Sequence, residues 1–108
     1  MDGCVFCGIV DGKIPAKVVY QDDNLVVFHN IKPEAPLHLL IVPKEHFSDF
    51  TEAKDETLLR VKEEIRSLVA QFGLSEKGYR IVVNGGTAKH ISHLHFHFLG
   101  EVSLNRPN

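Results

Sequence analysis

An α+β fold, an antiparallel sheet of about five strands with one main helix packed on it, is what this sequence predicts for residues 1–108. Three observations predict it. Apolar residues recur at three- and four-residue spacing from Asp55 to Phe72, the period of one helix face. Short apolar runs separated by turn chemistry supply the strands. The last of these runs, Ser92 to Gly100, alternates histidine with leucine or phenylalanine, which is the period of a strand. A chain of 108 residues builds one modest core, so a single domain is expected.

The elements follow in chain order. Val18-Val19-Tyr20 and Leu25-Val26-Val27-Phe28 flank Asp22-Asp23-Asn24, whose side chains favour a turn, so a β-hairpin is predicted. Pro33 and Pro36 bracket a loop, since neither donates to a sheet ladder. His38 to Val42 is a short apolar run closed by Pro43 and predicts a buried strand. In the helix, Leu58, Val61, Ile65, Leu68, Val69 and Phe72 form the stripe, and Gly73 is placed to cap its C-terminus. Lys62, Glu63, Glu64 and Arg66 between them predict a solvated face. Tyr79 to Asn84 is a further strand, broken by Gly85-Gly86. Residues 101–108 carry no pattern and predict a loosely ordered tail.

In the final strand, His93, His95 and His97 share one face while Leu94, Phe96 and Phe98 share the other. Three groups that titrate near neutrality are thus held on a rigid element backed by its own apolar residues. Such a row points to chemistry on a substrate or to metal binding.

Composition narrows the field. A formal charge of −2 argues against a general nucleic-acid or membrane-surface binder. The N-terminus lacks the basic region and apolar stretch of a secretory signal, and no run nears transmembrane length. A cytoplasmic protein with reduced thiols is expected. The two cysteines, Cys4 and Cys7, stand in Cys-x-x-Cys spacing, open to three readings: half of a metal site, a redox dithiol, or incidental small apolar residues. A thioredoxin-like pair follows a strand and opens a helix, whereas this pair stands at the extreme N-terminus before Gly8-Ile9-Val10-Asp11-Gly12. The small sheet has edges to protect, which favours a homodimer.

His93-Leu94-His95-Phe96-His97-Phe98-Leu99 resembles the His-φ-His-φ-His-φ-φ signature of the histidine-triad (HIT) superfamily, φ being apolar. Phe6-Cys7-Gly8-Ile9, Gly12 to Lys17, Phe28 to Ile31, Pro33 to His38, Ile41 to His46 and Gly78 to Asn84 resemble its Hint branch, the histidine-triad nucleotide-binding proteins. The resemblance covers residues 4 to 100 and implies a HIT-like fold in a single HIT domain. It implies a homodimeric hydrolase of purine nucleoside phosphoramidates or acyl-adenylates that releases AMP or GMP. By position His95 would be the nucleophile, forming a nucleotidyl-histidine that water resolves, and His97 would donate to a phosphate oxygen. His38, Asn84 and the first triad histidine, His93, would complete the catalytic set. Phe6, Ile9, Phe28, Ile31 and Leu40 match positions that enclose the base. Asn30 stands where the ribose ligand is usually aspartate, and it brings no charge.

The resemblance also gives the cysteines partners. Many bacterial members hold zinc through two cysteines, the histidine of a Pro-Lys-x-His segment and the first triad histidine. Here those are Cys4, Cys7, His46 and His93, which makes residues 1–10 a zinc-binding segment and the zinc structural. His29 is then ordinary surface and His90 is spare. The chain departs from the branch at Ala88-Lys89-His90, which replaces Gly-Gln-Ser or Gly-Gln-Thr in a shorter loop. There Lys89 offers compensating positive charge at the nucleotide and His90 a donor. The tail also lacks tryptophan. Two alternatives stand beside the phosphoramidate hydrolase: a hydrolase of dinucleoside polyphosphates, and a nucleotide-binding sensor with weak catalysis.

Overall fold

The computed structural model describes residues 4–103. It contains helices α1 (Val5–Val10), α2 (Asp55–Phe72) and α3 (Leu74–Lys77). Its strands are β1 (Val18–Gln21), β2 (Leu25–His29), β3 (Leu37–Pro43), β4 (Tyr79–Val82) and β5 (Phe96–Gly100). The five strands form one antiparallel sheet in the order β1-β2-β3-β5-β4, as predicted.

Alternation sorts the sheet's residues onto two faces. Leu25, Val27, Leu39, Ile41, Phe96 and Phe98 pack with Val61 and Leu68 of α2 in one core. Val26, Phe28, Leu40 and Val42 pack with Phe6 of α1 on the opposite face. Leu40 pairs with His97 across β3 and β5, which puts the triad on the α1 side. The sheet is thus roofed by the long helix and leaves its other face for the histidines.

Helix α2 runs from Asp55 to Phe72, and Gly73 caps it in the left-handed conformation at φ 63°. Asp55 and Glu56 lie in its first turn, favourable to the helix dipole. One residue of the expected solvated face is not solvated. Glu64 is 4% exposed, because Arg60 one turn earlier reaches back and pairs with it at 3.2 Å. The same guanidinium donates to Asp22 Oδ2 from Nη2 at 2.6 Å and from Nε at 3.1 Å, and to the Tyr20 hydroxyl at 3.0 Å. Burial pushes the Glu64 carboxyl up, against the pull of Arg60. Asp22 also accepts the amides of Asn24 and Leu25, so one carboxylate closes the hairpin turn and anchors α2 to it.

The histidine run is less regular than its pattern. The ladder of β5 begins at Phe96, opposite Ile41, so residues 93–95 lie ahead of the strand, with His93 in a bend. Their hydrogen bonds go elsewhere. The Leu94 amide donates to the Phe47 carbonyl at 2.7 Å, and the Pro43 carbonyl accepts from the His93 side chain at 2.8 Å. The last register pair of β4 with β5 is Val82 and His97, and Asn84 therefore stands past the strand. Helices α1 and α3 were not legible as elements.

Of the tail, residues 104–108 lie outside the described residues, as do residues 1–3 of the N-terminal segment. Val102 is buried, and its amide and that of Glu101 donate to the Gly78 carbonyl. Gly78, at φ 84°, leaves no room for a side chain: a Cβ there would sit 2.0 Å from the Val102 carbonyl oxygen. Among the described residues, no helix is long and apolar enough to cross a membrane.

Candidate functional site

A directional chain of hydrogen bonds fixes the proton positions at the site. The Glu34 amide donates to Nδ1 of His38 at 3.0 Å, so the neutral His38 ring must carry its proton on Nε2. That Nε2–H donates to Nδ1 of His97 at 2.9 Å. His97 in turn carries its proton on Nε2. For His95, Nδ1 lies 2.8 Å from the His93 carbonyl, and a carbonyl only accepts. Nδ1 is therefore the donor, and the lone pair is on Nε2. No buried side-chain nitrogen among the described residues lacks a partner, and His95 Nε2 makes no hydrogen bond. Although the ring as a whole is 8% exposed, Nε2 reaches solvent.

His95 and His97 are neighbours, with ring centroids 5.2 Å apart at 70°. Burial lowers His95 below the usual imidazole range, against the hydrogen bond to the His93 carbonyl that favours the charged form. Burial, with the adjacent His95 and His38, holds His97 down at about 4. Burial lowers His38 too. At neutral pH the site therefore presents an unprotonated nitrogen, His95 Nε2, beside an N–H donor, His97 Nε2. An unprotonated imidazole nitrogen is able to attack an electrophile, and an N–H beside it is able to donate to an oxyanion.

The apolar side of the site is built by Phe6, Phe28 and Leu40, in one buried cluster with Ile9 packed against it. Ile31 does not join them. It is 92% exposed on the loop after β2. Asn30, half-buried beside the site, holds its Nδ2 at 3.3 Å from His38 Nε2 while its Oδ1 accepts the Lys32 amide. Asn84 is half-buried past the end of β4. Lys89 is engaged away from the triad: its ammonium donates to the Ser48 carbonyl at 2.7 Å and lies 3.7 Å from Asp49. His29 and His90 are exposed.

Behind the triad, Cys4, Cys7, His46 and His93 bring one ligand atom each within 4.8 Å of one another. The pair of cysteines does open a helix after all. Cys4 caps α1, its sulfur accepting the Cys7 amide at 3.2 Å. Both cysteines are free thiols turned toward the two histidines rather than a disulfide. Sulfur-to-nitrogen distances run from 3.2 to 3.6 Å. The edge of a tetrahedral Cys–His site with bonds of ~2.3 and ~2.0 Å is about 3.5 Å, so the set is spaced to hold such an ion. His93 donates Nε2–H to the Pro43 carbonyl, which leaves the Nδ1 lone pair facing the sulfurs. Burial and the adjoining Cys4 sulfur push the Cys7 thiol up, so two thiolates there call for a cation.

Asp49 is a residue that pattern alone missed. Its Oδ1 accepts the Gly86 amide at 2.9 Å and its Oδ2 accepts the Thr51 amide and hydroxyl, which together hold the carboxyl at about 2. It ties the loop after Asn84 to the segment before α2. The carbonyls of Pro43 and His93 and the amide of Glu34 were equally hidden, because main-chain groups leave no mark in a sequence.

The family model described as HIT domain matches residues 11–104. Among solved structures, a HIT family hydrolase from Legionella pneumophila Philadelphia 1 is 39% identical, with a TM-score of 0.90, over 97% of this chain and 98% of that one. A Zn-bound histidine triad family protein from Mycobacterium smegmatis is 27% identical with a TM-score of 0.77, covering 98% of this chain and 80% of that one. A histidine triad nucleotide-binding protein from Candida albicans is 27% identical with a TM-score of 0.83, covering 98% and 84%.

Proposed function

The chain belongs to the HIT domain family, and on that premise we propose that it is a nucleotide-binding hydrolase of the Hint branch that cleaves purine nucleoside phosphoramidates or acyl-adenylates. The observation that carries this is the tautomer pair at the triad: a lone pair on His95 Nε2 next to a proton on His97 Nε2. Names among its relatives support the class, one being a hydrolase and another a nucleotide-binding protein.

In this scheme His95 Nε2 attacks the α-phosphorus, and the phosphorus–nitrogen bond breaks as the amine departs with the electron pair and takes a proton from water. The nucleotidyl-His95 that forms keeps its Nδ1–H on the His93 carbonyl. His97 Nε2–H stabilises charge on a non-bridging oxygen, and His38 holds His97 in the donating tautomer. Water then attacks the phosphorus, releasing AMP or GMP and restoring His95. Phe6, Ile9, Phe28 and Leu40 offer the base an apolar wall, with Asn30 near the ribose and Asn84 near the phosphate.

The four-residue cluster fits zinc in a closed, structural role, since all four positions are protein ligands. Its two free cysteines suit a reducing compartment such as the cytoplasm. A homodimer fits the edge strand β4 and the exposed Tyr79 and Leu59 on β4 and α2.

A sensor with weak catalysis is the second reading, favoured by Lys89 being spent on Ser48 and Asp49 instead of facing the triad. One experiment separates the two. Single-turnover mixing with an adenosine phosphoramidate should label the wild type and fail to label His95→Ala, while both bind AMP. AMP binding without any covalent label in the wild type would favour the sensor.

A further inference from the structure

We infer that Phe6 is a positioning residue for the His95 imidazole, and that filling the Cys4, Cys7, His46, His93 cluster is what holds Phe6 in place. The inference rests on the assignment of His95 as nucleophile and on the cluster taking a metal ion.

Phe6 is buried and stands between the two centres. Its ring lies edge-to-face with His95 at 5.0 Å and 80°, with His93 at 6.0 Å and 76°, and with Phe28 at 5.7 Å and 70°. It sits on α1, a helix of six residues, which is too short to be stable by itself. That helix is bounded by cluster residues: Cys4 caps it and Cys7 lies in its first turn. Both sulfurs converge on His46 before α2 and on His93 ahead of β5. With an ion at the centre, α1 is stapled to the sheet and the Phe6 ring is pressed against His95. With the cluster empty, two thiols and two imidazoles retain only weak sulfur–nitrogen contacts, and the short helix loses its tether.

The polar contact on His95 depends on the same cluster. The carbonyl that accepts its Nδ1–H belongs to His93, whose side chain is a cluster ligand held from behind by Pro43. Thus the hydrogen bond and the aromatic edge that set the His95 ring both come from residues anchored at the cluster. Among the described residues, the other ring touching His95 is His97. Loss of either anchor frees the ring to rotate or to take the tautomer with the proton on Nε2, in which the attacking lone pair is gone.

The test is side-chain 15N spectroscopy of the histidines in nucleotide-free, zinc-loaded protein at one fixed pH, with metal analysis alongside. Loaded wild type should take up one zinc and show His95 as a single Nδ1–H tautomer. Phe6→Leu should keep its zinc yet show His95 as an exchanging mixture. Chelation of the wild type should give the same mixture and needs no variant to fold. In single-turnover labelling, Phe6→Leu and chelation should each slow adduct formation on the order of tenfold or more, with little further loss when combined. An unchanged His95 tautomer in Phe6→Leu and in chelated wild type overturns the inference, as do fully independent losses or a wild type that takes up no zinc. A residue that only walls the base would weaken AMP binding and leave the tautomer alone, which also overturns it. If no nucleotidyl-histidine forms with any phosphoramidate, the hydrolase proposal fails, and the tautomer in the nucleotide-free protein still decides this one.

Discussion

At His97 the identity of the donor nitrogen is decided two residues away in space, by the Glu34 amide acting through His38. Replacing His38 with alanine removes the group that occupies His97 Nδ1 and lets that ring take either tautomer. The expected result is a fall in kcat of ten- to about a hundredfold with a much smaller change in AMP affinity, read by steady-state kinetics and calorimetry. The same burial gives a pH signature. In the unfolded chain a histidine binds its proton near pH 6.5, whereas folded His97 does so at about 4, with His38 and His95 lowered as well. Between those values the unfolded state holds more protons, so stability is full above pH 6.5 and declines as pH falls towards 4. Denaturant midpoints measured from pH 7.5 down to 4.5 should drop through that window. A flat series would contradict the buried neutral state.

The elements show which local signals a sequence can carry. The stripe and the capping glycine of α2 were legible to the residue, because a helix face repeats and a left-handed cap needs glycine. On its solvated side Lys62, Glu63 and Arg66 are exposed as expected and Glu64 alone was not legible, since its pairing depends on Arg60 also reaching Asp22 across the fold. Arg60→Met should therefore cost about 2–3 kcal/mol in urea denaturation, because a buried carboxylate loses its partner. The six-residue α1 was invisible because it is held by side chains distant in sequence. The start of β5 was misplaced because alternation continues through His93 and His95 although the Leu94 amide between them donates to Phe47 and the His93 side chain to Pro43, outside the ladder. Two glycines give a graded check. Gly73→Ala should cost about 1–2 kcal/mol for its left-handed backbone alone, since a Cβ there meets nothing. Gly78→Ala adds a collision with the Val102 carbonyl and should cost more, or prevent folding. Equal midpoints for the two variants would refute the close approach of residue 102.

Across the whole molecule the sheet separates support from chemistry, with α2 on one face and the histidines, the cysteine cluster and α1 on the other. The row of His93, His95 and His97 was legible from alternation alone, whereas His38 and the grouping of Cys4 and Cys7 with His46 and His93 came only with the family resemblance. What set their protons was not legible, for it is done by main-chain groups of Glu34, His93 and Pro43. Ile31, matched by position to the base, lies exposed, and Lys89, expected to offer compensating charge at the nucleotide, faces Ser48. Metal removal should act on the whole fold by untying residues 4–10 from the sheet: chelation, or Cys4→Ser with Cys7→Ser, should lower the Tm and abolish stoichiometric zinc. The central claim is that His95 Nε2 is the attacking atom, and trapping the intermediate tests it most directly. Acid-free quenching of a single turnover with an adenosine phosphoramidate, followed by peptide mass spectrometry, should place the adenylyl group on His95. An adenylyl group on any other residue, or undiminished turnover in His95→Ala, would contradict it.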